Sequence, residues 1–201
     1  MVLSLDIPTL SYAYLGKRAN EFLRDHHAWQ KVPVPIEEII EFDLRLDIIP
    51  IPGLDRDCEI TAFISNDLRS ITVDQDLMER QYPRYRFSLA HELAHLLVHA
   101  EVFARYPVHT IEEYRAFRSQ ISEVDYYQLE AQADMLAGRI LVPGHHLEPR
   151  FSAAKALVEQ RGLSGEGYWE KAKGVIADKL AREFCVSQSV VEIELRRSHL
   201  V

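Results

Sequence analysis

Cysteine is almost absent. Cys58 and Cys185 are the only two in 201 residues, far apart and in no CxxC pair. That excludes a disulfide framework and a cysteine-rich zinc ribbon, and it fits a reducing compartment. Long apolar runs are missing too, since none approaches the ~18 residues that a membrane span requires. The beginning of the chain reads against a secretory signal, because Asp6 and Pro8 come early and Lys17-Arg18 follow the apolar stretch. Positive charge is in deficit: 23 Lys and Arg stand against 31 Asp and Glu, a formal charge of −8. Such a chain repels bulk nucleic acid and anionic lipid. The expectation is a soluble cytoplasmic protein, long enough to bury ~70% of its unfolded surface without covalent staples.

The elements that are present predict an α+β fold. Apolar residues Tyr14, Phe22 and Leu23 recur at helical spacing between Leu10 and Trp29. Val32-Pro33-Val34-Pro35 is a stiff extended connector, after which Pro35 suits the start of a helix through Leu44. Leu46–Ile51, Ile60–Ser65 and Ser70–Asp74 read as strands of a small antiparallel sheet, the last two as a hairpin joined over 66–69. Alternation of Ile71 and Val73 with Thr72 and Asp74 predicts one wet face for the third strand. Helices follow from Pro83 to about Ala100, from the capping box Thr110/Glu113 through Ile121, and from Val124 to Leu141, where Pro143-Gly144 stops the last. Two more are expected over Tyr168–Phe184 and Gln188–Arg197, with Ser187 as N-cap. The division predicted is an N-terminal helical segment (1–31), a core domain (32–165) and a C-terminal helical pair packed on it (166–201).

Chemistry is concentrated in Phe87–His99. Leu, Ala, Phe and Val surround this helix on nearly every side, and its ionisable groups are His91, Glu92, His95 and His99. Buried imidazole and carboxylate are costly unless something pairs with them. His91 and His95 are one helical turn apart, so both rings project from one face and can hold one cation. Glu92 sits ~100° around the helix, beside such a metal and not on it. There it can take a proton from a water that the metal has activated. Taken alone, the pair also fits two hydrogen-bonded core histidines.

A third ligand comes from Glu130-Ala131-Gln132-Ala133-Asp134, where two acids again share one helical face. Glu130 can complete the ligand set and leave a fourth position open, and Asp134 can accept the free ring N–H of one histidine. The alternative is an acidic stripe facing solvent, against which stand the apolar flanks Leu129, Met135, Leu136, Ile140 and Leu141. His99, two turns from His91, is too far along a straight helix to share its metal and reads as a polar core or rim residue. Two histidines and a carboxylate suit zinc, one per chain, and also other divalent metals such as manganese.

These residues look like the gluzincin arrangement, His-Glu-x-x-His followed by Glu-x-x-x-Asp on a later helix. From Val32 to Val201 the chain is similar to the ImmA/IrrE family of metallopeptidases. The resemblance is carried by Val34-Pro35-Ile36-Glu37-Glu38-Ile39, by the run from Arg86-Phe87-Ser88-Leu89-Ala90-His91-Glu92 to Leu97, and by Glu130 through Ile140-Leu141-Val142-Pro143. Ala94 stands where the family often has glycine, and Met135-Leu136 where it has Phe-Ala. The resemblance implies a zincin-like zinc endopeptidase with His91, His95 and Glu130 on the metal and Glu92 as general base. It implies that the substrate is a protein, a helix-turn-helix transcriptional repressor whose cleavage releases a stress or mobile-element response. The strand Ile71-Thr72-Val73 resembles the family's short edge strand, and the substrate is expected to pair with it in extended form. The alternative function is a regulatory module that binds a repressor without cutting it.

The C-terminal run Ala181–Val191 through Arg197 looks like a helix-turn-helix with Cys185 at the usual glycine position. Six basic against four acidic residues over Lys171–Val201 is too thin for a DNA footprint, so packing or substrate docking is expected and direct nucleic-acid binding is not. For the group that stabilises a tetrahedral intermediate, His145, His146, Tyr126 and Tyr127 lie near in sequence, and nothing separates them from ordinary loop and surface residues.

Overall fold

A computed structural model of the chain describes residues 5, 7–65, 68–106, 110–160 and 166–201. Helix α1 (Tyr12–Asp25) is followed by α2 (Ile36–Glu38), which continues as a π-helical turn over Ile39–Asp43 closed by the bond from Leu44 N–H to the Ile39 carbonyl. Strand β1 (Asp47–Ile51), short helix α3 (Leu54–Cys58), β2 (Ala62–Ile64) and β3 (Ser70–Asp74) come next. Helices then run to the end: α4 (Gln75–Arg80), α5 (Tyr82–Phe103), α6 (Ile111–Gln120), α7 (Glu123–Leu141), α8 (Gly144–Gln160), α9 (Glu166–Phe184) and α10 (Gln188–Arg197). The class is α+β, mostly helical, with one small sheet. No described helix is long and apolar enough to cross a membrane.

Local chemistry explains the helix boundaries. Ser11, Asp74 and Ser122 cap α1, α4 and α7 by accepting the orphan N–H groups of Tyr14, Leu77 and Asp125. At α6 both halves of the capping box form, Thr110 with Glu113. The expected stop at Pro143-Gly144 is also a start: the Pro143 carbonyl accepts from His146 and Leu147 N–H, opening α8, which the sequence reading left out.

The sheet corrects three expectations. Its order is β1-β3-β2, with β2 antiparallel to β3 but β1 parallel to it, so the sheet is mixed instead of antiparallel. Strand β3 is therefore central, and Ile71, Thr72 and Val73 cannot be the edge strand offered to a substrate, because neighbours occupy both sides. Nor has β3 a wet face: Thr72 and Asp74 are buried with Ile71 and Val73, since α3, α4 and α5 all lie against the strand. The turn of the expected hairpin includes 66–67, outside the described residues.

The antiparallel edge belongs to β2. Thr61 accepts from Asp74 N–H and Ser65 N–H donates to the Ser70 carbonyl. Ladder bonds alternate along an antiparallel pair, so Ala62 and Ile64 turn their N–H and C=O groups away from β3.

Helices α5 and α7 lie side by side, and the fully buried Ala90, Ala94, Ala133 and Ala137 let them come close. Helix α1 packs on α7, placing Leu15, Ala19, Phe22 and Leu23 in the same core. A second, smaller cluster gathers Leu54, Ile60, Phe63, Phe103, Phe117, Ile121 and Leu129. Arg86, 3% exposed, ties distant segments by donating to the Val34 carbonyl at 2.6 Å and the Cys185 carbonyl at 3.1 Å. Cys185 has φ 55°, the left-handed geometry that glycine normally supplies in such a turn. The turn leads into α10, whose Val190, Val191, Glu194 and Leu195 are buried against α9 and α7.

Candidate metal centre

Helix α5 supplies His91 and His95, and α7 supplies Glu130, at the wall of a cavity of about 260 Å³. Their ligand atoms lie within 4.8 Å of one another. His91 Nε2 is 3.1 Å from His95 Nε2 and 3.2 Å from Glu130 Oε2, and His95 Nε2 is 3.6 Å from Glu130 Oε1. A tetrahedral zinc with ligands at ~2.05 Å has edges of about 3.3–3.4 Å, so the three donors already fit three corners. The donor set fits a divalent metal.

Each histidine is oriented from behind. His91 Nδ1 meets Asp134 Oδ1 at 2.9 Å. His95 Nδ1 meets His99 Nδ1 at 3.0 Å, and His99 Nε2 meets Gln132 Oε1 at 3.0 Å. His99 lies outside the group of ligand atoms formed by His91, His95 and Glu130, and it touches the ring of one of them.

Electrostatics follow from this crowding. Burial alone would lower the pKa of His91, but hydrogen bonds to Asp134 and Glu130, together with nearby carboxylate charge, push it up to about 10. Burial opposes ionisation of Glu130, and the hydrogen bond from His91 and the two histidines packed beside it overcome this and hold that carboxyl well below its ordinary range. His99 is driven down to about 4, mainly by burial and then by His95. The metal-free site thus carries its positive charge on His91.

Glu92 is 8% exposed and accepts the Ile64 N–H at 2.9 Å through Oε2, which anchors it to the open side of β2. Burial raises its pKa, and the neighbouring histidines and the bond from Ile64 offset this only in part. A carboxyl so placed, with its pKa raised, can accept a proton and give it back.

Helix α6 brings Tyr114 and Arg118 to the cavity wall and α7 brings Tyr126. Burial pushes both tyrosine hydroxyls up, so they stay protonated donors. The Arg118 guanidinium lies 3.6 Å over the Tyr126 ring. Tyr114 and Arg118 escaped the sequence reading, because α6 looks like an ordinary polar helix. Of the four residues considered there for the intermediate, Tyr126 alone reaches the cavity. Tyr127 is 75% exposed, and His145 and His146 both bond the Trp29 carbonyl.

No match was found among curated proteins. The family model described as the IrrE N-terminal-like domain, of the M78 peptidases, matches residues 69–196 and so includes His91, Glu92, His95, Glu130 and Asp134. With well over half of its length matched, the chain belongs to the IrrE N-terminal-like family of peptidases.

Proposed function

We propose that the protein is a zinc-dependent endopeptidase that cuts a protein substrate, a helix-turn-helix transcriptional repressor. The observation that carries this reading is Glu92: a buried carboxyl with a raised pKa, fixed to the sheet edge and beside His91, His95 and Glu130. A mere structural zinc site has no use for such a base, and a partner-binding scaffold has no use for a third ligand with an open position.

His91, His95 and Glu130 would hold the metal. When bound, it polarises the scissile carbonyl and lowers the pKa of water in the site. The residues do the rest. An extended peptide pairs with the outward N–H and C=O groups of Ala62 and with the outward C=O of Ile64 on β2, the Ile64 N–H being held by Glu92. Glu92 accepts the proton of the attacking water and returns it to the leaving amine. The protonated hydroxyls of Tyr114 and Tyr126 offer hydrogen bonds to charge that develops on the carbonyl oxygen. The aromatic side of the cavity, Phe63, Phe103 and Phe117, receives an apolar substrate side chain. The exposure of Val175 and Ile193 on the C-terminal helices favours a docking role for that pair over DNA contact.

The test uses metal-loaded protein and a panel of purified helix-turn-helix repressors, with fragments located by mass spectrometry. Glu92→Gln is expected to retain one zinc per chain and to lose ~10²–10⁴ of the cleavage rate. Cleavage by that variant at the unaltered rate overturns the proposal. Zinc binding with stable repressor complexes and no cut supports the non-catalytic alternative in its place.

A further inference from the structure

We infer that His99 and Gln132 are positioning residues that fix the tautomer of His95 and aim its Nε2 at the metal, an inference that rests on the metal-site reading above.

The argument starts from a group that can only accept. The Pro8 carbonyl receives a hydrogen bond from Gln132 Nε2 at 2.8 Å. That sets the orientation of the amide, so the atom facing His99 is Oε1, again only an acceptor. His99 Nε2, 3.0 Å from it, must therefore carry a proton. A neutral imidazole protonated on Nε2 has a bare Nδ1. His95 Nδ1, 3.0 Å from that lone pair, must then be the donor. In the neutral ring that a metal ligand must be, this proton leaves His95 Nε2 bare, and Nε2 is the atom that faces His91 and Glu130.

Burial makes the assignment binding. His95, His99 and Gln132 are 3%, 1% and 3% exposed. A misplaced proton anywhere along the line would leave two donors or two acceptors face to face, a costly arrangement away from water. The two histidines on the metal are thus oriented by unlike means. His91 has the carboxylate of Asp134, whose side chain is half exposed, whereas His95 has a neutral relay that ends on the backbone of the N-terminal segment. Gln128 reinforces that end from the same helix by donating to the Ile7 carbonyl. Positioning partners of this kind typically carry ~10–100-fold in metal affinity.

The experiment measures zinc affinity of the full chain by competition with a chromophoric chelator. His99→Leu and Gln132→Leu are each expected to weaken zinc binding ~10–100-fold. His99→Asn is expected to recover most of the loss, because its Oδ1 can stand where the histidine Nδ1 stood and accept from His95. Far-UV circular dichroism of the metal-free variants checks that they fold. Long-range ¹H–¹⁵N spectra of the zinc-loaded wild type read the tautomers directly, with His99 expected as Nε2–H and His95 as Nδ1–H. A wild type that binds no zinc fails the metal-site reading itself. A wild type that binds zinc while both Leu variants bind within twofold of it overturns the positioning role alone. If the variants do not fold, His99 found as Nδ1–H in the wild type overturns it just as well.

Discussion

At the scale of single residues, His91 is held between two carboxylates, with Glu130 at 3.2 Å from Nε2 and Asp134 at 2.9 Å from Nδ1. Its pKa, near 10, means that the metal-free chain keeps a proton there at neutral pH. A metal ligand must give that proton up. The sign follows directly: below about pH 10 protons compete with the metal, so affinity rises with pH across the neutral range, by up to about tenfold per unit. Calorimetric titration of zinc at pH 7, in two buffers of different ionisation enthalpy, is expected to show about one proton released per metal bound. Asp134→Asn removes one of the two carboxylates, lowers the His91 pKa and should reduce that release. No proton release from the wild type would mean that His91 is neutral before the metal arrives.

At the scale of elements, α7 joins the site to the C-terminal pair through Gly138. A Cβ there would lie 2.6 Å from Glu194 Oε1 and 3.2 Å from its Cδ. Glu194 is 1% exposed and pinned by Tyr12 at 2.8 Å and Arg197 at 3.1 Å, so it has no room to swing aside. Alanine gains ~1 kcal/mol of helix propensity over glycine, but overpacking costs ~1–3 kcal/mol and strains two hydrogen bonds as well. Gly138→Ala is expected to lower stability by a net of about 1–2 kcal/mol in urea unfolding. Its zinc affinity should stay unchanged, because Glu130 lies two turns away on α7. A midpoint at or above that of the wild type would show that α10 can shift. Most helices of this frame were legible, because the capping box at Thr110 and the spacing of apolar residues are local signals. Sheet order was not: whether β1 lies beside β3 or β2, and in which direction, depends on the crossover through α3, which no strand's own residues encode. Helix α8 was lost for a related reason, since Pro149 lies inside it and Pro143-Gly144 looks the same whether it ends one helix or also opens another.

At the scale of the whole molecule, the site is legible only in its front half. His91, Glu92, His95, Glu130 and Asp134 follow from spacing on two helices. What holds them comes from far away in sequence: Ile64 N–H for Glu92, and the Pro8 carbonyl behind Gln132 and His99. Both lie before residue 69, where the family match begins. So do both strands that flank β3, the α1 residues Leu15, Ala19, Phe22 and Leu23, and the Val34 carbonyl that Arg86 requires. A fragment 69–201 would keep every ligand while exposing both edges of β3 and the fully buried Ile71 and Val73. It is expected to lack a cooperative urea transition, to bind a hydrophobic dye and to lose at least ~10²-fold in zinc affinity, as two helices bearing the ligands are no longer held in register. Adding a separate 1–68 peptide should restore part of the near-UV signal if the two pieces can reassemble the sheet. A fragment that unfolds cooperatively and binds zinc like the full chain would show that the ligand helices fold on their own, and would reduce the first 68 residues to a cover over a finished site.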